Sequence, residues 1–333
     1  MQYLVQNEIK KMLNSRKPFL IVTLLLIFIA LFAYGEQYTY EKSLERLEVI
    51  SSDLLFDWEN LARQQVKDME RRMSSPYMSE EGKRSLALEI EQLKYFIEND
   101  INPITPSAAK FAGRFAEQGI VLLIPLLVII LAADIVSGEF SNRTVKVLVT
   151  RAVPRWKILL SKALALYAMV TVVILLSALI AIFVSVLFFG RFGFDEPVIT
   201  GFSLGSQGLN VSNVIEVSQF QYLILVYSLA WFVSLVIGSI TFMISVLVRS
   251  TSASIGIIMT ALIGGQFIQF LLSDWELVKY FFVTNMNLPN YLSGDLQFVE
   301  GMSLGFSVTV LSAWALGAMV VSFVVFQKKD ILV

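Results

Sequence analysis

Apolar residues in this chain gather into long blocks instead of alternating singly with polar ones. The first block covers residues 18–34 without a charge, and the others are roughly 113–133, 163–189, 222–248, 253–272 and 304–326. A helix needs about 20 residues to cross roughly 30 Å of hydrocarbon, and each block is about that long. The pattern predicts an all-α, polytopic membrane protein with six transmembrane helices. Lys10, Lys11, Arg16 and Lys17 precede the first block, as basic residues precede a secretory leader. No small-x-small cleavage pattern follows, so the block reads as a retained anchor.

Residues 35–112 form the one long polar stretch. Leu44, Leu47, Ile50, Leu54, Trp58 and Leu61 recur every three or four positions, the spacing of one helical face. Ser74-Ser75-Pro76 interrupts that stripe. Ser79 can cap a second helix with Glu80 and Glu81 in its first turn, and Leu86, Ile90, Leu93 and Ile97 repeat the stripe. The expectation is an antiparallel helical hairpin ending near Pro103 and Pro106. Its stripes either pack on one another or offer a surface to a partner or substrate. The Gly- and Ser-rich stretch 190–221 reads as an irregular loop. Trp275, Tyr280, Phe281 and Phe282 lie in segment 273–301 and suit a short interfacial or re-entrant helix.

Composition narrows the chemistry. Of 333 residues, 56% are hydrophobic and 16% charged, where soluble domains carry about 25% charged. The chain has neither cysteine nor histidine, which excludes disulfides, thiolate chemistry, most zinc sites and Ser-His triads. No phosphate-binding loop of the G-x-x-x-x-G-K-[ST] type occurs. Gly264-Gly265-Gln266 and Leu292-Ser293-Gly294 match fragments of an ATPase signature. The first lies within an apolar span and the second on the predicted outer face. Ser161 and Lys162 are adjacent, so their side chains diverge on a helix and make no dyad. The spans read as almost free of charge, which argues against a proton- or sodium-driven pump. Asp134 and Lys162 flank the predicted inner loop as interfacial anchors or as a mutual ion pair. Gly256, Ala261, Gly264 and Gly265 allow close helix contact, either within the bundle or at a dimer seam.

Orientation follows from the Lys/Arg bias of the short loops. With the N-terminus inside, segments 1–17, 134–162, 249–252 and 327–333 hold 13 of the 26 basic residues but only 4 of the 27 acidic ones. The two shorter outer loops carry only Arg191 and Lys279. Both termini are therefore expected in the cytoplasm, with the 35–112 hairpin outside.

The inner loop 134–162 is the most informative stretch. Glu139 and Arg143 stand four apart and can pair on a helix. Arg143, Lys146, Arg151, Arg155 and Lys157 make the loop basic, and Pro154 can open the next helix. Upstream, Leu4, Val5, Ile9, Met12 and Leu13 can form an amphipathic helix on the inner membrane surface. The loop resembles that of ABC transporter permeases of the type-2 exporter group. The resemblance rests on acidic Glu139, Arg143-Thr144, an apolar run from Val145 through Leu148 to Val149, the Pro154-Arg155 turn, and Lys162 opening the third span. Asn7-Glu8-Ile9-Lys10-Lys11 and Arg16-Lys17 also resemble the family's N-terminus. The chain departs from it at Asn142-Arg143-Thr144, where a Gly-Thr pair is common.

The resemblance implies the membrane half of an ATP-driven exporter in the plasma membrane of a bacterium, moving an amphipathic peptide antibiotic, drug or lipid. It implies a separate cytoplasmic ABC ATPase that holds the ATP and Mg, a second permease chain, and a coupling contact at residues 144–149. No cofactor, catalytic residue or metal is expected in this chain, and no nucleic-acid partner. The other reading is a membrane scaffold or sensor that binds a ligand through its outer hairpin without transport.

Overall fold

The computed structural model of the chain describes residues 1–50, 58–78, 80–142, 144, 153–205, 208–210, 214–272, 275–293 and 302–328. It is predominantly helical, as the apolar blocks require. α1 (Gln2–Leu13) leads into α2 (Lys17–Ile50), followed by α3 (Trp58–Met73), α4 (Glu80–Glu98), α5 (Ala108–Gly119), α6 (Leu123–Ala132) and α7 (Ser137–Ser141). Then come α8 (Arg155–Phe189), α9 (Gln219–Leu247), α10 (Thr251–Leu271), α11 (Asn290–Ser293) and α12 (Leu304–Lys328). α2, α8, α9, α10 and α12 are each long and apolar enough to cross a membrane, and α5 with α6 makes a sixth, bent pair. The chain is a multi-pass membrane protein.

The second span is not the continuous helix expected over 113–133. α5 and α6 meet at 63°. Pro125 lies in the first turn of α6, where its missing N–H costs nothing. In a continuous helix its ring would clash with the carbonyl four residues back. Gly119 ends α5 just before the break. Two other boundaries also move. α8 begins eight residues before 163, and α2 continues past Tyr34 to Ile50. Leu44 and Leu47 therefore belong to α2 and not to the hairpin.

The core forms where one face of each helix turns inward. On α2, Ile21, Leu25, Ile29 and Ala33 step by four and are buried, while Leu26, Ile27 and Leu31 face outward. α9 sits centrally against α5, α6, α8, α10 and α12. Val128, Leu166 and Val170 pack around Gly238 on α9, where a Cβ would stand at ordinary contact distance, 3.6–3.9 Å from them. Ser218 caps α9 in a capping box with Gln221.

The hairpin is present as α3 against α4. Ala62, Val66, Ile90 and Leu93 form its buried core, with Trp58, Met69, Phe96 and Ile97 half-buried around it. The second stripe thus packs inward through Ile90, Leu93 and Ile97, but of the first only Trp58 borders this core, and Ala62 and Val66 supply the α3 side in its place. Leu54 and the Ser79 cap lie outside the described residues. The stretch 190–221 is not irregular throughout. β1 (Pro197–Thr200) pairs antiparallel with β4 (Ile215–Ser218), and β2 (Ser203–Gly205) with β3 (Gly208–Asn210). Edge-to-face contacts of Tyr95 and Phe96 with Phe202, at 5.6 and 6.0 Å, dock the hairpin on these strands. Segment 276–293 contributes short 3-10 turns, with Phe282, Val283, Met286 and Leu288 tucked into the bundle core.

Candidate functional site

At one end of the bundle, charged side chains from three segments meet. α1 lies along the first turns of α8, with Ile9 and Met12 against the bundle core. Its polar residues Glu8 and Lys11 turn toward Glu139 of α7 and Lys162 of α8. Lys162 Nζ donates to Glu8 Oε2 at 3.0 Å and to Glu139 Oε1 at 3.2 Å. Lys11 also pairs with Glu139, and the Thr144 hydroxyl donates to the other Glu139 oxygen. The Thr144 N–H donates to the Glu139 carbonyl at 2.9 Å, closing the turn. One carboxylate therefore joins the N-terminal helix, the loop after the second span and the third span.

Lys162 retains 2% of its side-chain exposure and Glu139 6%. Charges so deep are sustained only when paired. Burial by itself would raise the Glu139 pKa, but the Lys162 charge and the hydrogen bonds from Lys11 and Thr144 outweigh it and hold it down at about 2. The same loop is tied on its other side. Val136 and Ser137 N–H groups donate to Ser245 Oγ at 3.1 and 3.0 Å. Ser141 donates to the Arg249 carbonyl at 3.3 Å, and the Arg249 guanidinium lies over the Phe140 ring. Arg155, the first residue of α8, reaches the Gln327 carbonyl of α12 at 3.4 Å. α7 thus touches the N-terminal helix, the third span and the turn between the fourth and fifth.

Several expected placements change. Asp134 and Lys162 do not pair with each other, since Asp134 pairs with Lys17. Lys162 does not open the third span but lies two turns inside α8, while Pro154 precedes the helix as its cap residue. Arg143, Val145, Leu148 and Val149 lie outside the described residues, and with them the proposed contact helix and the Glu139–Arg143 pair. The Ser161 hydroxyl donates to the Ile158 carbonyl at 2.8 Å. Among the small residues, Gly265 is the tightly packed one: a Cβ there would lie 2.6 Å from Phe281 Cε1 and from Val283 Cγ2. Gly256 and Gly264 have nothing within 4 Å of a built Cβ among the described residues, and Ala261 is half-buried.

Sequence reasoning passed over Lys110, Arg114 and Glu117 at the other end. Two of them fall inside the 113–133 block that read as almost charge-free. Their spacing of four and three on α5 was the available signal. Lys110 pairs with Glu196 at 2.8 Å, Arg114 with Glu36, and Tyr222 donates to Glu117 at 2.6 Å. Among the described residues, no group of three or more acidic side chains is arranged to hold a metal ion.

Residues 87–332 match the sequence profile of a family described as "Protein of unknown function (DUF2705)". The chain belongs to this family. Two relatives come from Bacillus subtilis (strain 168). One, named "Uncharacterized protein YhcI", is 24% identical over 276 residues, covering 82% of this chain and 84% of that protein. The other, named "Uncharacterized membrane protein YdbK", is 26% identical over 216 residues, covering 64% of this chain and 79% of that protein. The family match begins within α4 and takes in the bent span, α7 and α8, so Glu139 and Lys162 lie inside it. Their partners Glu8 and Lys11 lie before it.

Proposed function

We propose that the chain is the membrane-spanning subunit of an ATP-driven ABC exporter, moving an amphipathic cargo with a separate cytoplasmic ATPase and a second permease chain. The observation that carries the reading is the Glu139 junction. A subunit without its own nucleotide site must receive force from outside, and a loop between two spans is the shortest route to both. Glu139 fastens that loop to α1 and to α8, so displacement of the loop is transmitted and not absorbed. The broken second span supports the reading, since transporters commonly build substrate sites at discontinuous helices. ATP and Mg would belong to the partner chain.

The test is mild solubilisation followed by co-purification, with ATP-dependent export from vesicles as the second measurement. Leu148→Asp should abolish export and loosen the ATPase while membrane insertion stays normal. Full export and full ATPase retention by that variant would refute the coupling contact at residues 144–149. A wild-type chain that brings down no ATPase and supports no ATP-dependent export would sink the exporter reading and leave the scaffold or sensor.

A further inference from the structure

The hairpin end of the bundle holds two cavities that share one wall residue, Arg114. The smaller, about 220 Å³, lies between α4, α5, β1 and the start of α9, with Phe96, Ile199 and Phe202 in its wall. The larger, about 600 Å³, lies between α2, the hairpin and α5. Phe32, Glu36, Thr39, Tyr40 and Ser43 line its α2 side, all on one helical face. Phe32 sits at the outer edge of the apolar run of α2 and is 44% exposed. Ser43 lies eleven residues further on, roughly 16 Å along the helix axis. The larger cavity therefore starts at the apolar edge of the span and runs outward along polar side chains.

Arg114 is set up to take an acceptor there. It stands on the outer half of the broken span. Ionisable side chains on such elements face water-lined space or a ligand and not lipid. One terminal nitrogen is engaged by Glu36. Its Nε is buried and has no hydrogen-bond partner among the described residues. A buried donor left unpaired costs free energy that an acceptor oxygen recovers. The hydroxyls of Thr39 and Ser43 donate to the helix carbonyls of Gly35 and Thr39. Their oxygens are thereby left to accept from a donor.

We propose that the larger cavity binds a membrane-resident amphiphile with an acidic, hydroxyl-bearing head group. A phosphate oxygen accepts from Arg114, head-group hydroxyls donate to Thr39 and Ser43, and the chain leaves past Phe32 toward the bilayer. The site requires no transport and holds for an exporter subunit or a sensor alike, so the isolated chain tests it without an ATPase.

The experiment is native mass spectrometry of the full chain in detergent, offered equal amounts of phosphatidylglycerol and phosphatidylcholine. The wild-type chain should retain phosphatidylglycerol with a preference of about tenfold, since both lipids offer a phosphate oxygen but only phosphatidylglycerol is net negative beside Arg114 and carries head-group hydroxyls for Thr39 and Ser43. Arg114→Gln should remove the preference, and Lys157→Gln, at the opposite end, should leave it intact. Thr39→Trp fills the cavity, leaves the Arg114–Glu36 pair in place, and should also remove the preference. It decides the matter if Arg114→Gln proves unstable. Octyl phosphate forms the second arm. If it binds in an Arg114-dependent way while phosphatidylglycerol does not, the membrane-resident occupant is overturned in favour of a soluble one. No phosphatidylglycerol preference in the wild type with no octyl phosphate binding overturns the site. So does a preference that survives Thr39→Trp.

Discussion

At the α1 end, Glu139 and Lys162 retain 6% and 2% of their side-chain exposure and are joined by partners more than a hundred residues away in sequence. At the hairpin end, Arg114 and Glu36 retain 39% and 22% and border open cavities. The first arrangement is closed: each buried charge has its counter-charge, and a change in one segment is felt by three others. The second is porous, and its cation keeps one buried nitrogen without a partner among the described residues. The same residue types thus make a joint at one end and a receptive surface at the other. What separates them is how completely the backbone surrounds them. At the α1 end α1, α7 and the first turns of α8 close around the charges, and at the hairpin end the second span breaks.

The largest effect expected from that contrast is at Glu139. Glu139→Ala leaves buried Lys162 with Glu8 alone and should cost about 3–5 kcal/mol, read as a lower unfolding temperature in detergent. The double change Glu139→Leu with Lys162→Met should recover most of the loss, because buried ion pairs replaced by apolar residues are often neutral. Equal losses from the single and double changes would remove the joint. Acid gives the same contrast without mutation. The folded pKa of Glu139 lies near 2, below its ordinary 4.5. Its stabilisation is therefore present above about pH 4.5 and is lost as the pH falls toward 2. Proteolysis at residues 14–16, between α1 and α2, should stay constant from pH 8 to 5 and rise only below that window. A rise near pH 7 would contradict the assignment.

Smaller effects should come from the hairpin end. Gly265→Val would drive a side chain into Phe281 and Val283 and should cost about 1–3 kcal/mol. Nearer the α1 end, Gly256→Ala, with nothing within 4 Å of a Cβ there among the described residues, should leave the unfolding temperature unchanged or raise it. Trp58 is half-buried, so Trp58→Ala should cost about 1–2 kcal/mol, below the roughly 3–5 of a fully packed aromatic. Protease resistance of residues 58–98 measures it. Lys94 pairs with Glu70 at 3.0 Å, but both are about half exposed. Lys94→Ala should change stability by less than about 1 kcal/mol.

Much of this was legible in the residues. The apolar blocks predict the five continuous spans, and the stripe Leu86, Ile90, Leu93 and Ile97 predicts the face that α4 turns to α3, whose own Ala62 and Val66 were not singled out. The break at 120–122 carried a signal in Pro125, but one proline in a block of leucines and isoleucines scarcely alters its average. The strands were hidden for a similar reason, since four-residue runs such as Pro197–Thr200 are swamped by surrounding Gly and Ser. Loop 134–162 announced Glu139 as special, yet its nearest basic neighbour in sequence was Arg143. The Lys11–Glu139 contact spans 128 residues, and no local periodicity encodes which distant lysine arrives. Lys110, Arg114 and Glu117 were legible as a stripe and were overlooked because the adjoining block is so apolar.

α2 carries one further consequence. It runs as an unbroken helix for 34 residues, about 51 Å at 1.5 Å per residue, from Lys17 beside the Glu139 junction past Glu36 to the base of the hairpin. A rod of that length is a lever. A tilt of about 3° at its Lys17 end displaces the far end by roughly 2.7 Å and Glu36, the partner of Arg114, by roughly 1.5 Å, enough to break a hydrogen bond. Motion too small to unseat Glu139 is therefore amplified, along a single element, into motion large enough to open or close a contact at Arg114.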